Sequence, residues 1–175
     1  MRVLRPILAT CCIVFFWLAV LSGAQTPAPQ AKEGTAGPDA AMMAPVTELA
    51  TYMAHPEGAM APAVFVDDGP VIVEDFAPYL FTGKDAAAKW DAGFRAHAVP
   101  LRELQFTFGA AHAFERTSDR VYFVLPTTWR GIYKDRRFVE HGAWSFVLKT
   151  SAGQWRILAY GWGATDLTDK PVTTQ

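Results

Sequence analysis

The sequence predicts an α+β domain in which helices cover a sheet of long antiparallel strands. Three observations predict it. Arg120 to Asp166 holds successive β-branched and aromatic runs separated by short polar turns at Lys134-Asp-Arg-Arg137 and Ser151-Ala-Gly153, the pattern of antiparallel strands joined by hairpins. Leu104, Phe106, Phe108, Ala110, His112 and Phe114 alternate with Glu103, Gln105, Thr107, Gly109 and Glu115, the period of a strand with one buried face. Ala87, Trp90, Phe94 and His97 recur along one side of a helix, and such an apolar stripe needs cover from a sheet.

With 175 residues, 51% of them hydrophobic and 19% charged, the chain suffices for one domain and is short for two. Residues 1–24 read as a signal peptide. Arg2 and Arg5 precede an apolar run from Ile7 to Leu21, and Ser22-Gly23-Ala24 supplies the small residues of a cleavage site. A run of about 15 apolar residues falls short of the roughly 20 that span a bilayer, so no membrane anchor should remain after cleavage. The mature protein is then periplasmic or secreted. Cys11 and Cys12 both lie in the apolar run, which leaves the exported chain without a disulfide. Removing Arg2 and Arg5 from the 16 basic residues leaves 14 against 17 acidic ones, a net charge of −3. That balance argues against a nucleic-acid partner, which would require a basic surface.

Residues 25–44 are rich in Pro, Ala, Gly, Gln and Thr and read as a flexible linker, because they offer too little apolar surface to offset the entropy of ordering. The folded domain is expected over 45–168. Val46, Leu49, Ala50 and Met53 predict a helix from Pro45 to His55, with Pro45 near its first turn. Pro56-Glu-Gly58 ends it, and residues 58–65 are open between a second short helix and a connection to the turn at Asp67-Asp-Gly-Pro70. Val71 to Phe76 and Pro78 to Gly83 read as two short strands bent at Ala77-Pro78. Lys84 to His97 forms the clearest helix. In the strand from Phe138, the residues Phe138, Trp144, Phe146 and Leu148 share one face and Val139, His141, Ala143 and Val147 the other. Helices can cover one of these faces; the other calls for a ligand or a second subunit, and a homodimer is expected. Residues 169–175 form a polar tail expected to fray.

The order of these segments resembles the ketosteroid-isomerase-like, SnoaL-like branch of the nuclear transport factor 2 superfamily. The carrying segments are Phe65 to Asp75, Phe81-Thr-Gly83 followed by Ala86 to Trp90, Gly142 to Lys149, and Gln154-Trp-Arg-Ile157; together they span about residues 45 to 166. The resemblance implies a cone, a strongly curved antiparallel sheet wrapped over about three helices with a pocket at its open end, commonly dimeric. It also implies that Asp75 takes the place of an acid that removes a proton from carbon. Tyr52 would then be the hydroxyl that stabilises the enolate. The partner acid expected on a later strand is missing from Ala143-Trp144-Ser145.

Asp75 follows Val71 and Val73 on one strand face, with Ile72, Glu74 and Phe76 on the other. If the valine face looks inward, burial raises the pKa of Asp75, as a carbon-acid base requires. The alternative is an acid-rich, solvated turn shared with Asp67, Asp68 and Glu74. Tyr52 reads equally as a core tyrosine with a satisfied hydroxyl. Trp129, Trp144 and Trp162, with Tyr79, His97 and His112, are the candidate pocket walls, since ligand pockets combine aromatic surface with a few polar groups. The same aromatics suit a subunit interface. The histidines stand at no metal-binding spacing, so neither a metal nor a cofactor is expected. The sequence lacks a phosphate-binding glycine loop, a Gly-x-Ser-x-Gly elbow and an activated cysteine, which sets aside phosphoryl and nucleophilic chemistry.

Two functional expectations follow. The first is an exported pocket domain for a small, largely apolar molecule, with isomerase- or cyclase-like acid-base chemistry through Asp75. The second is a non-catalytic dimerisation or protein-interaction module of the same fold, which a cone filled by Trp and Phe would favour.

Overall fold

The computed structural model describes residues 37–55, 57 and 64–172. The predicted signal peptide, most of the predicted linker and the greater part of the segment considered for a second short helix lie outside these residues. Two helices, α1 (Ala40–Ala54) and α2 (Ala86–Ala98), accompany seven strands: β1 (Val71–Val73), β2 (Leu80–Phe81), β3 (Leu101–Phe108), β4 (His112–Arg116), β5 (Arg120–Tyr133), β6 (Arg136–Ser151) and β7 (Gln154–Pro171). The sheet runs β2-β1-β7-β6-β5-β3, with β4 pairing the remaining part of β5. Its neighbours are antiparallel except β1 and β7, which lie parallel with Ile72 opposite Tyr160.

The expected α+β architecture is present, with two helices among the described residues where about three were expected. Helix α1 starts at Ala40, inside the predicted linker, so the helix expected from Pro45 begins five residues earlier. Asp39 caps it, accepting a hydrogen bond from the Met42 amide at 2.9 Å. Pro45 therefore sits within the helix and not in its first turn. An interior proline costs about 3 kcal/mol. Burying Met42, Val46, Leu49 and Met53 is worth about 1.5–3 kcal/mol for each side chain and outweighs that cost.

The continuous strand expected through Leu104 to Phe114 is broken after Phe108. The Gly109 amide turns to the carbonyl of Pro126 at 2.8 Å, and β4 begins afresh at His112, so the alternation restarts and leaves His112 exposed. The C-terminal end also departs from expectation. Strand β7 continues to Pro171 because it pairs with β6 along its whole length, and Arg136 clasps Asp169 through Nε and, at 3.1 Å, Nη2.

The core lies between the helices and the inner sheet face. Trp90, Phe123, Trp144 and Phe146 are its largest fully buried side chains, and Trp90 and Phe94 stack on α2 with centroids 5.4 Å apart. The face expected from Phe138, Trp144, Phe146 and Leu148 is the inner one. Trp144, Phe146 and Leu148 are fully buried on it.

Candidate functional site

The inner face does not fill the space beneath it. A cavity of about 290 Å³ opens between α2 and the far ends of β5, β6 and β7. Trp129, Trp144 and Trp162 line it as indole walls, with Trp144 set edge-on to Trp129 at 5.9 Å and to Trp162 at 5.8 Å. Strand register explains the grouping. Trp129 lies opposite Glu140, and Trp144 opposite Trp162, so alternate residues of three neighbouring strands reach one surface.

Glu74 is the deep acid of this cavity. The valine face of β1 points outward: Val71 and Val73 are 43% exposed, whereas Ile72 is 0% and Glu74 5% exposed. This corrects the expected inward valine face. The reason is the parallel pairing with β7, which sets Ile72 against Tyr160 and turns Ile72 and Glu74 into the core. Oε1 of Glu74 accepts two hydrogen bonds, from Nε1 of Trp90 at 2.9 Å and from the Tyr160 hydroxyl. Oε2 has no hydrogen-bond partner among the described residues, and the side chain lines the cavity. Burial pushes the Glu74 carboxyl up to about 7 against the lowering effect of its two donors, and the charges of Asp75 and Glu140 add to the rise.

Asp75 also lines the cavity, but as an exposed residue at its edge. Glu140 is a second acid on the wall. Burial first, then the charge of Asp75, raises it to about 7, while the nearby Trp162 indole works the other way. The later strand therefore does carry an inward acid, four residues before Trp144 and on the same face. Alternation from Phe138 through Glu140 and Gly142 to Trp144 was the signal that could have found it.

Of the other predicted residues, His97 lines the cavity and stacks on Phe76 with ring centroids 5.0 Å apart. Tyr52 does not line it. Its hydroxyl donates to Asp91 on α2, which Arg95 also holds at 3.1 Å. Burial, followed by that hydrogen bond and the Asp91 charge, pushes the phenol up to about 12. Tyr79 is 60% exposed, and both it and His112 lie away from the cavity wall. Among the described residues no group of three or more His, Cys, Asp or Glu could hold a metal ion, and no helix is long and apolar enough to cross a membrane.

No family model matches the sequence, and no curated protein is significantly similar to it. Solved structures are. A candidate scytalone dehydratase from Novosphingobium aromaticivorans aligns with a TM-score of 0.60 at 18% identity, over 76% of this chain and 87% of that one. A candidate ketosteroid isomerase from Shewanella frigidimarina aligns with a TM-score of 0.56 at 17% identity, over 71% and 96%. The chain shares the fold of these proteins, the nuclear transport factor 2-like fold. A type 2 hexachlorocyclohexane dehydrochlorinase shares that fold with a TM-score of 0.62 at 12% identity, over 75% of this chain and 87% of the other. At these identities the likeness is one of fold, and the nuclear transport factor 2-like frame serves many chemistries.

Proposed function

We propose that this nuclear transport factor 2-like domain is an enzyme that moves a proton to or from carbon in a small molecule held in the cavity, with Glu74 as the transferring group. The carrying observation is the two-sided environment of Glu74. Trp90 and Tyr160 fix Oε1, and Oε2 has no partner among the described residues and belongs to a side chain on the cavity wall. A carboxyl titrating near neutrality divides its population between base and acid, the poise that general acid-base catalysis favours. Proton removal from carbon is common to isomerisation and to elimination, in which a leaving group departs from the neighbouring carbon. The structural neighbours named as a dehydratase, a dehydrochlorinase and an isomerase support this reading.

The open cavity also favours the enzyme over a purely structural module, since a module of this fold would fill its cone with the same tryptophans. The charged start and apolar run of residues 1–24 support export of the domain. Enolisable 1-indanone in deuterated buffer supplies the test. The protein should accelerate exchange of the α-protons followed by NMR, and Glu74→Gln should lower that acceleration roughly 100-fold, within the range for loss of a general base. Exchange no faster than in buffer would sink the enzymatic reading.

A further inference from the structure

The cavity has an unbalanced set of charges. Glu74, Asp75 and Glu140 all reach its wall, and the one arginine there, Arg136, is paired with Asp169. His97 is the other basic group on the wall, and its ring lies against Phe76. No lysine lines the cavity among the described residues. An anionic ligand would thus meet no arginine or lysine free to receive it.

Two independent features turn this imbalance toward a positive ligand. The first is Oε2 of Glu74, an oxygen without a hydrogen-bond partner on a side chain only 5% exposed and placed on the cavity wall. A carboxylate oxygen open to the cavity without a protein donor favours a ligand that brings positive charge to that wall. The second is the indole wall. Trp144 makes interplanar angles of 70° with Trp129 and 76° with Trp162, so successive ring faces turn in different directions around the space. Ring faces attract cations through the aromatic quadrupole, most strongly for tryptophan. The three carboxyls are not grouped closely enough to hold a metal ion, which leaves an organic cation with an apolar body as the matching chemistry.

We propose that the substrate is a small, flat, one- or two-ring amine whose ammonium group lies against Asp75 and Glu140 while its ring system packs on Trp129, Trp144 and Trp162. The inference rests on reading this cavity as the working site. It narrows the ligand from an apolar molecule to an apolar molecule carrying one positive charge, and it leaves Glu74 free for proton transfer. Beyond the effect of burial, the charges of Asp75 and Glu140 raise Glu74 and the charge of Asp75 raises Glu140, consistent with a site that lacks its neutralising partner.

The test compares three probes of one shape by isothermal titration calorimetry at pH 8: 2-aminoindane, 2-indanol and indane-2-carboxylate. The amine should bind at least tenfold more tightly than the alcohol, about 1.4 kcal/mol, and the carboxylate should bind more weakly than either. Glu140→Gln and Asp75→Asn, each checked for folding by circular dichroism, should reduce the amine's advantage while leaving the affinity for 2-indanol within about twofold. An alcohol that binds as tightly as the amine, tighter binding of the carboxylate, no amine binding at millimolar concentration, or an amine preference that survives both substitutions would overturn the proposal. Turnover of neutral 1-indanone without amine preference would sink this inference and leave the acid-base reading standing. Amine preference without any proton exchange would do the reverse.

Discussion

Tyr160 on β7 donates its phenolic hydrogen to Oε1 of Glu74, just beyond the end of β1. The two residues meet because β1 and β7 run parallel with Ile72 opposite Tyr160, which brings the residue two places further along β1 to the same inner face. Burial, together with the charge of Glu74, raises the Tyr160 phenol well above its usual value, so it stays a neutral donor throughout the working pH range.

Removing that donor tests the role given to Glu74. The Tyr160 hydrogen bond holds the Glu74 carboxyl lower than burial alone would, and Tyr160→Phe should therefore push it further above 7. If ionised Glu74 is the base, the acidic limb of the pH-rate profile for α-proton exchange moves to higher pH. Loss of a hydrogen bond to a charged or partly charged group should also cost about 1–3 kcal/mol of stability. An acidic limb that stays in place would show that another group sets it.

Stability should fall as pH rises through the neutral range. The folded-state value of Glu74, about 7, lies above the ordinary 4.5, so between these values the native state holds a proton that the unfolded chain has lost. Linkage then makes the native state progressively less stable from about pH 4.5 to 7, by about 3 kcal/mol in all for this group. Glu140 acts in the same direction, reduced by its greater access to water. Urea denaturation at pH 5 and pH 8 measures the difference, and Glu74→Gln should flatten most of it.

Strands β5 to β7 were legible in the sequence because each carries its own long alternation and short polar turn, so local pattern and final structure agree. The inward acid on β1 was not. A three-residue strand with valine on one face and isoleucine on the other contains no local signal for which face is buried; pairing with β7, some ninety residues away, decides it. Glu140 was hidden for a different reason. It interrupts an aromatic face, and only its parity with Phe138 and Trp144 shows where it points. Helix α1 reaches back to Ala40 through Asp39, a capping residue inside a stretch whose proline and alanine content otherwise suggests a linker. The indole walls were legible as a group, since Trp129, Trp144 and Trp162 occupy alternating positions on consecutive strands.

The outward valines bear on assembly. Val71 and Val73 are each 43% exposed and lie beside Leu80 at 55% and Tyr79 at 60% on the outer side of the sheet edge. An exposed apolar cluster on a face that the helices do not cover is a candidate for a two-fold contact. Sedimentation velocity at micromolar concentration should show a dimer. Val73→Lys together with Leu80→Lys should shift it to monomer without loss of secondary structure. A monomeric wild-type protein at high micromolar concentration would remove this expectation.

Gly142 holds the two halves of the wall together. At the irregularity between His141 and Gly142 the pairing with β7 skips Thr165, and the Trp162 ring folds across the place where a side chain on Gly142 would stand. A Cβ there would come within 2.5 Å of both the Gly163 carbonyl oxygen and the Trp162 ring. Neither neighbour yields easily: one is backbone, and the other is packed edge-on against Trp144 at 5.8 Å. Gly142→Ala should therefore push Trp162 away from Trp144 and from Glu140, at a cost of about 1–3 kcal/mol for overpacking. Because the Trp162 indole lowers the Glu140 carboxyl, its displacement should also raise Glu140 further. The expected readouts are a changed near-ultraviolet circular dichroism signal from the tryptophan cluster and weaker binding of 2-aminoindane. Unaltered dichroism and binding in the alanine variant would mean that Trp162 does not depend on the bare backbone at Gly142 for its place in the wall.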